Sequence, residues 1–475
     1  MNKTPIYYSK DINDLELYQK LIQYWNMIFD VRRNTFVLDN MNYNASIFPT
    51  IFRFNEIEYL HRVEPGYMSP DGYNEINEIV RALEYQRLVV CTKHSPQTIS
   101  SLTENAGVGG GNGCTNTINA LIHSIIRFFN DHDEPNKRDV ILTLPNYTVY
   151  TAQLSNMRGL INPRYVYTDR IHNFLPTCQD IIQHMGMNTA AVVLTYPTNP
   201  SQSSYTEKNV DELRKIVQFC QENRIFLIVD NIYQDMIYDK NELFQEVFGL
   251  TSDLDYVIKV YGSSKDTPFF SGYRTGYWFG DNRLTDYYRY YISSTENSLN
   301  TYSMTLFALN MYMKILSLSN QTFSENDMEY FDKGLFGWSE LVDKKKLFSN
   351  FNELDLQNKY QKRINISYNL QKSALEKVTA FTQQSKAFSD YINQGIGNVF
   401  FIKVNPEYYT GSCENLFNYL LKKHKLGVLP GSVFGMPSEW DENWFRITLI
   451  HDSEENIISN LQRVENALFS YNKSH

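Results

Sequence analysis

Residues 207–235 read EKNVDELRKIVQFCQENRIFLIVDNIYQD, and they decide the fold class. In the first half, Val210, Leu213, Ile216, Val217 and Cys220 recur at spacings of three and four with charges between them, the pattern of a helix with one apolar face. The second half, Ile225–Asp230, is an apolar run closed by an aspartate. Short Val/Ile/Leu runs without strict alternation suit strands covered on both faces, as in a parallel sheet. A helix pattern feeding such a strand is part of a βαβ unit.

The same alternation extends outward, from about Tyr67 to Gly280. Apolar runs occur at Val140–Leu144, Ala190–Tyr196, Tyr256–Tyr261 and Tyr273–Phe279. Thr115–Asn130 sets Ile118, Leu121, Ile122, Ile125 and Phe129 on one helical face. The expectation is an α/β fold, a mostly parallel central sheet flanked by helices. From Ile315 to Tyr360 the pattern weakens and reads as an elaborated surface segment. Beyond it, a helix over Ile364–Val378, strands at Val399–Val404 and Phe445–Ile450 and a helix near Glu454–Phe469 predict a smaller α+β domain. The N-terminal residues are assigned to it, which makes it discontinuous. The expected division is 1–65 (arm and part of the small domain), 66–339 (large domain) and 340–475 (small domain).

Bulk properties narrow the classes. The 475 residues carry a net charge of −9 with both signs interspersed, and no Lys/Arg block marks a nucleic-acid surface. The N-terminal MNKTPIYYSKDINDLE lacks the apolar core of a signal peptide, and no apolar run approaches the ~18 residues of a membrane span. No membrane partner and a cytoplasmic location are therefore expected. Cys91, Cys114, Cys178, Cys220 and Cys413 form no CxxC pair, so no metal site is expected and free thiols are.

Four clusters sit just after apolar runs or at helix starts, on the rim where open α/β sheets bind ligands. GVGGGNGCTNTINALI (107–122) is a Gly-rich loop entering a helix, which suits an anion but also any tight helix entry. TYPTNP (195–200) alone reads as a turn. Asp230 ends a strand, where a buried carboxylate needs a cationic partner, although it could equally cap the next helix. YGSSKDTPFFSGYRTGYWFG (261–280) sets Lys265 among hydroxyls, with Arg274 nine residues later. Such a lysine can act as an amine nucleophile and such an arginine can clamp a phosphate, while either alone is usually a solvated charge. In this order, one ligand uses them all: a phosphorylated pyridine aldehyde. Its carbonyl takes the lysine, its ring nitrogen the carboxylate and its phosphate the helix start.

With these clusters the chain resembles the fold-type I family of class I/II aminotransferases and their 1-aminocyclopropane-1-carboxylate synthase relatives, over roughly Tyr67 to Leu468. The resemblance implies pyridoxal 5′-phosphate as cofactor, with Lys265 as its lysine and general base. It implies Asp230 at the pyridine nitrogen and Asn199 and Tyr233 at the ring's phenolic oxygen. Gly113, Cys114, Thr115 and Ser263 would hold the phosphate together with Arg274, and Tyr147 in LPNYTVY would stack on the ring. Tyr67 in YMSPDGY would reach the neighbouring subunit's phosphate, and Arg446 in NWFRITLI, after PGSVFG, would grip the substrate carboxylate beside Asn199. Departures are Gly262 where many relatives have serine, Gln202 where glycine is usual, and an arginine nine rather than eight residues after the lysine.

The implied activity is a transaminase of amino-acid metabolism, moving an amino group between an amino acid and a 2-oxo acid in a homodimer with shared sites. The rivals are a lyase, cyclase or oxidase working on the same carbanion, and an inactive regulatory homologue.

Overall fold

A computed structural model gives the architecture. It describes residues 68–472 apart from 71, 73, 237–243, 269, 322–352 and 438–441, together with a few of the first 67. The strands are β1 (Phe36–Val37), β2 (Gly107–Gly111), β3 (Asp139–Leu144), β4 (Asn162–Tyr167), β5 (Thr189–Thr195), β6 (Phe226–Asp230), β7 (Val257–Tyr261) and β8 (Gly276–Gly280). They continue with β9 (Phe388–Ile392), β10 (Val399–Val404), β11 (Leu426–Gly427), β12 (Leu429–Pro430) and β13 (Trp444–Thr448).

A 7-stranded sheet has the order β2-β8-β7-β6-β5-β3-β4. From β4 to β7 every pairing is parallel, and β8 and β2 close one side antiparallel. This is the mostly parallel α/β architecture the apolar runs predict. Every residue of β6 is buried, with helices Cys114–Asp131 and Val210–Glu222 against the sheet. Truncating a side chain such as Ile228 to alanine there should cost about 2–5 kcal/mol.

A second sheet, β12-β13-β10-β9, is antiparallel. Helices Glu353–Gln384 and Glu454–Asn472 cover it, packing Leu375, Val378, Leu461 and Val464 against Phe400, Ile402, Phe445 and Ile447. From the N-terminal part, β1 pairs parallel with β11. The expected boundaries at 65/66 and 339/340 fall outside the described residues.

Three expectations need correction. The Gly-rich stretch is not all loop: Gly107–Gly111 is an edge strand. A Cβ on Gly109 would stand 2.6 Å from Trp278 Nε1, so a backbone without side chains is what lets this strand lie against Trp278 and Tyr288. The run at Tyr273–Phe279 begins too early, because residues 270–273 form a helical turn and β8 starts at Gly276. Ile315 does not open a surface segment; helix Thr301–Ser319 runs through it and buries Met311, Met313, Lys314 and Leu316, while 322–352 lies outside the described residues.

Candidate active site

The carboxyl ends of β3, β5, β6 and β7 face one rim, and each delivers a loop to it. A cavity of about 320 Å³ opens there, lined by Gly113, Cys114, Thr115, Tyr147, Asn199, Asp230, Tyr233, Lys265, Arg274 and Arg446, so most of the sequence-predicted residues meet in one place. Two do not. Ser263 is fully buried with its Oγ accepting from Asn310 Nδ2 at 2.8 Å, and it is Ser264 that lines the cavity. The reason is local: a Cβ at Gly262 would stand 2.6 Å from the Thr275 carbonyl oxygen and 3.0 Å from Cys114 Sγ, so the chain passes tight against β8 before it turns outward. Tyr67 lies outside the described residues.

Gly113 precedes helix Cys114–Asp131 at φ +86°, and no side chain caps that helix start. Its backbone N–H groups therefore face the cavity as anion donors. Arg274 completes the cradle: a Cβ on Gly113 would approach its Nη2 to 2.9 Å. Arg274 itself holds φ +53°, the left-handed region in which a side chain is strained, as residues committed to a ligand often are.

Asp230 closes β6 and is almost fully buried. Its Oδ2 accepts from the Tyr150 hydroxyl at 2.5 Å and its Oδ1 from the Ile232 N–H at 3.2 Å. Burial pushes the carboxyl up to about 6, against the pull of those donors and of Lys265. Lys265 follows β7, the strand next to β6, and lines the same cavity. Burial, then the charges of Arg446 and Arg274, lower its amine to about 8. An acid pushed up and a base pushed down by burial in one cavity is the kind of perturbation that clusters at functional sites.

The second sheet supplies Arg446 from the middle of β13. Its Nη1 donates to Asn199 Oδ1 at 2.8 Å, and its guanidinium lies 4.8 Å from the Phe434 ring centroid. Phe434 is tied to the large sheet, its carbonyl accepting from the Asn146 N–H at 3.0 Å. Tyr147 meets Tyr150 edge-on, with ring centroids 5.5 Å apart. Tyr150, Thr195, Ser264 and Phe434 line the cavity; each lies within a quoted stretch of sequence that assigned it no role. Of these, Tyr150 had a signal: a second tyrosine three residues after Tyr147, which on a helix shares its face.

This donor set suits one kind of molecule, a phosphorylated, cationic heteroaromatic aldehyde. The uncapped helix start and Arg274 match a phosphate, Asp230 has a burial-raised carboxyl that a cationic ring nitrogen would hold charged, and Lys265 is poised as an amine.

Residues 104–321 match the family Aminotransferase class I and II. That match covers much of the large-sheet part of the chain. It is 25% identical over 333 residues, 70% of each chain, to a probable aspartate/prephenate aminotransferase of Aquifex aeolicus. It is 27% identical over 167 residues, 35% of this chain and 37% of the other, to a glutamate-pyruvate aminotransferase of Haemophilus influenzae. In fold it is similar to an aspartate aminotransferase of Thermotoga maritima, with TM-score 0.65 and 16% identity over 96% of this chain and 99% of that one. A Thermus thermophilus aspartate aminotransferase gives TM-score 0.66 and 14% identity over 94% and 96%. No helix among the described residues of this chain is long and apolar enough to cross a membrane.

Proposed function

We propose that the cavity binds pyridoxal 5′-phosphate and that the chain moves an amino group between an amino acid and a 2-oxo acid. The single observation that carries this is the meeting of Asp230, Lys265, Arg274 and Arg446 around one cavity of about 320 Å³. When bound, the cofactor supplies an aldehyde that condenses with amines and a protonated ring that draws electrons from the amino acid's α-carbon. The uncapped helix start at Cys114, with Thr115 and Arg274, holds the phosphate. Asp230, whose carboxylate the Tyr150 hydroxyl steadies, would hold the ring nitrogen and favour its protonated form. Asn199 and Tyr233 would hold the ring's phenolic oxygen, and Tyr147 would cover one face; all three line the cavity. Arg446 grips the substrate carboxylate with two parallel hydrogen bonds, fixing the plane of the amino acid. Lys265 would bind the cofactor's aldehyde carbon and, with its amine free, would take the substrate's α-proton as general base.

The rest of the reading concerns assembly. The two sheets, each with its own core, support a large domain ending near 339 and a small one after it, joined by an N-terminal arm. The chain works as a homodimer whose sites are shared through Tyr67. Mixing inactive Lys265→Ala with an inactive Tyr67 variant should restore activity through heterodimers, and no recovery would count against shared sites.

Reaction type is tested on the purified holoprotein. A good amino-acid donor alone should convert the bound cofactor to its amine form, and a 2-oxo acid alone should restore the aldehyde. Continuous release of ammonia, another leaving group or peroxide from one amino acid, with the aldehyde persisting, would replace transamination with lyase, cyclase or oxidase chemistry.

A further inference from the structure

Behind the cavity wall, helix Thr301–Ser319 faces the turn that carries Lys265. Asn310 Nδ2 donates to Ser263 Oγ at 2.8 Å and to Thr267 Oγ1 at 3.3 Å, one residue on either side of the Ser264–Asp266 stretch. Four residues on, and so on the same helical face, Lys314 Nζ bonds Asp266 Oδ2, next to Lys265, and the Tyr261 hydroxyl at the end of β7. It also reaches Asp235 Oδ2 at 2.7 Å, on the loop that begins at Asp230 and carries Tyr233. The Tyr261 hydroxyl spans the same gap, donating towards Asp235 at 2.9 Å and Asp266 at 2.8 Å. Arg87 closes the far side, its Nη2 bonding Asp235 Oδ2 at 2.7 Å and its guanidinium lying 4.1 Å from the Tyr261 ring centroid. Asn310 and Lys314 are both buried.

We infer that Asn310 and Lys314 are positioning residues: Asn310 ties the Lys265 turn to helix Thr301–Ser319, Lys314 ties it to the Tyr233 loop, and together they fix where the Lys265 amine stands in the cavity. Neither lines the cavity, so each acts only through the residues it holds. The two loops come from different strands, and a turn free to shift against its neighbour would carry the amine away from the aldehyde it must attack. This rests on the reading of Lys265 as the cofactor lysine.

The test separates capture by the lysine from the other anchors. Full-length protein freed of cofactor is given pyridoxal phosphate, and covalent capture on Lys265 is followed by borohydride trapping and peptide mapping across pH. Binding of 4′-deoxypyridoxine phosphate, which has the ring and phosphate but no aldehyde, is measured in parallel. Lys314→Met should slow capture about tenfold or more and move its pH midpoint, and Asn310→Ala should slow it about threefold, since misplacements near 1 Å carry costs of this order. Both should bind the deoxy analogue within about twofold of wild type, and Lys314→Arg should regain part of the capture rate. Wild-type capture by Lys314→Met and Asn310→Ala, or analogue binding that falls in step with capture, overturns the inference. Should Lys314→Met not fold, Asn310→Ala decides on the same two readouts. If wild-type protein captures no cofactor on Lys265, the functional reading fails and takes this inference with it.

Discussion

Lys265 and Lys314 are two lysines held inside the same protein, and their surroundings treat them in opposite ways. Burial and two arginines lower Lys265 to about 8. Burial presses on Lys314 too, but Asp235 and Asp266 more than reverse it and hold its ammonium above the ordinary lysine value. Asp230 and Asp235, five residues apart on one loop, repeat the contrast. Burial lifts Asp230 to about 6, whereas Arg87 and Lys314 overcome burial and keep Asp235 well below the usual carboxylate range. One cluster has its ion pairs complete and serves as scaffold. The other is short of a counter-charge, and the missing charge is what a cationic ring and an anionic phosphate would bring. The same residue types are structural where the protein itself supplies the partner and chemical where the ligand must.

The largest effect should come from removing the poised base. Lys265→Ala should lower amino transfer at least about 10⁴-fold, because the nucleophile and the general base go together. Borohydride should trap cofactor on no other lysine, Lys314 included, because its ammonium is held charged. Trapping on another peptide would break the comparison.

Asp230 comes next. Removing one partner of a buried charge pair costs about 3–5 kcal/mol, so Asp230→Ala should lose about 10²–10⁴-fold in rate while keeping bound cofactor, and near-normal turnover would sink the role. The cofactor-free protein should show the opposite sign in stability. In the folded chain the carboxyl is raised to about 6 from 3.8, a gap worth about 3 kcal/mol. The stability linked to its proton is fully present below pH 3.8 and is lost as pH rises through 6. Cofactor-free Asp230→Asn should therefore be more stable than wild type at pH 8, by up to about 3 kcal/mol, and the difference should shrink towards pH 4. Denaturant unfolding at the two pH values checks both sign and window.

Arg446→Lys keeps the charge and loses the fork. Loss of kcat/KM by about 10²-fold for every amino acid is expected, since a bidentate clamp supplies orientation as well as attraction. A loss confined to one class of side chain would show that Arg446 reads the side chain, not the carboxylate.

How much of this was legible before the structure differs between the same two regions. Strands and helices of the large sheet fall close to their apolar runs, because a strand buried on both faces must be apolar throughout: Val140–Leu144 became β3 and Ala190–Tyr196 became β5 with shifts of a residue. β2 escaped because a strand of Gly-Val-Gly-Gly-Gly has no side-chain pattern to read. β4 escaped because its start, Asn162 and Pro163, resembles a turn at a sheet edge. The rim residues were legible because their types stand at the ends of apolar runs and at a helix start, where an open α/β sheet presents its rim. The completed cluster was not, because ion pairs follow proximity and leave no trace in spacing. Lys259 sits within an apolar run yet is fully buried between Glu84, 2.7 Å away, and Glu246, 2.6 Å away, residues 175 and 13 positions distant. The partner that Ser263 meets once the tight passage at Gly262 has set its direction was equally hidden, since Asn310 lies on a helix 47 residues downstream.

The smallest expected effect is at Tyr150, the residue through which the protein partly supplies Asp230 with what the ligand completes. Its hydroxyl donates to Oδ2 at 2.5 Å, and it favours the charged form of the carboxyl. A hydrogen bond to a charged group contributes about 1.5–3 kcal/mol, which corresponds to a midpoint change of about one to two pH units. Tyr150→Phe removes the donor and leaves the ring that packs against Tyr147. The Asp230 midpoint should move up, since the charged form loses support and the neutral form does not. With cofactor bound, the acid limb of the pH–rate profile should shift to higher pH while the plateau falls about tenfold or less. A shift in the opposite direction would mean that Tyr150 stabilises the protonated acid, and the contrast between the two aspartates would then lose its cause. An unchanged limb with a lower plateau would assign Tyr150 to packing under Tyr147 alone.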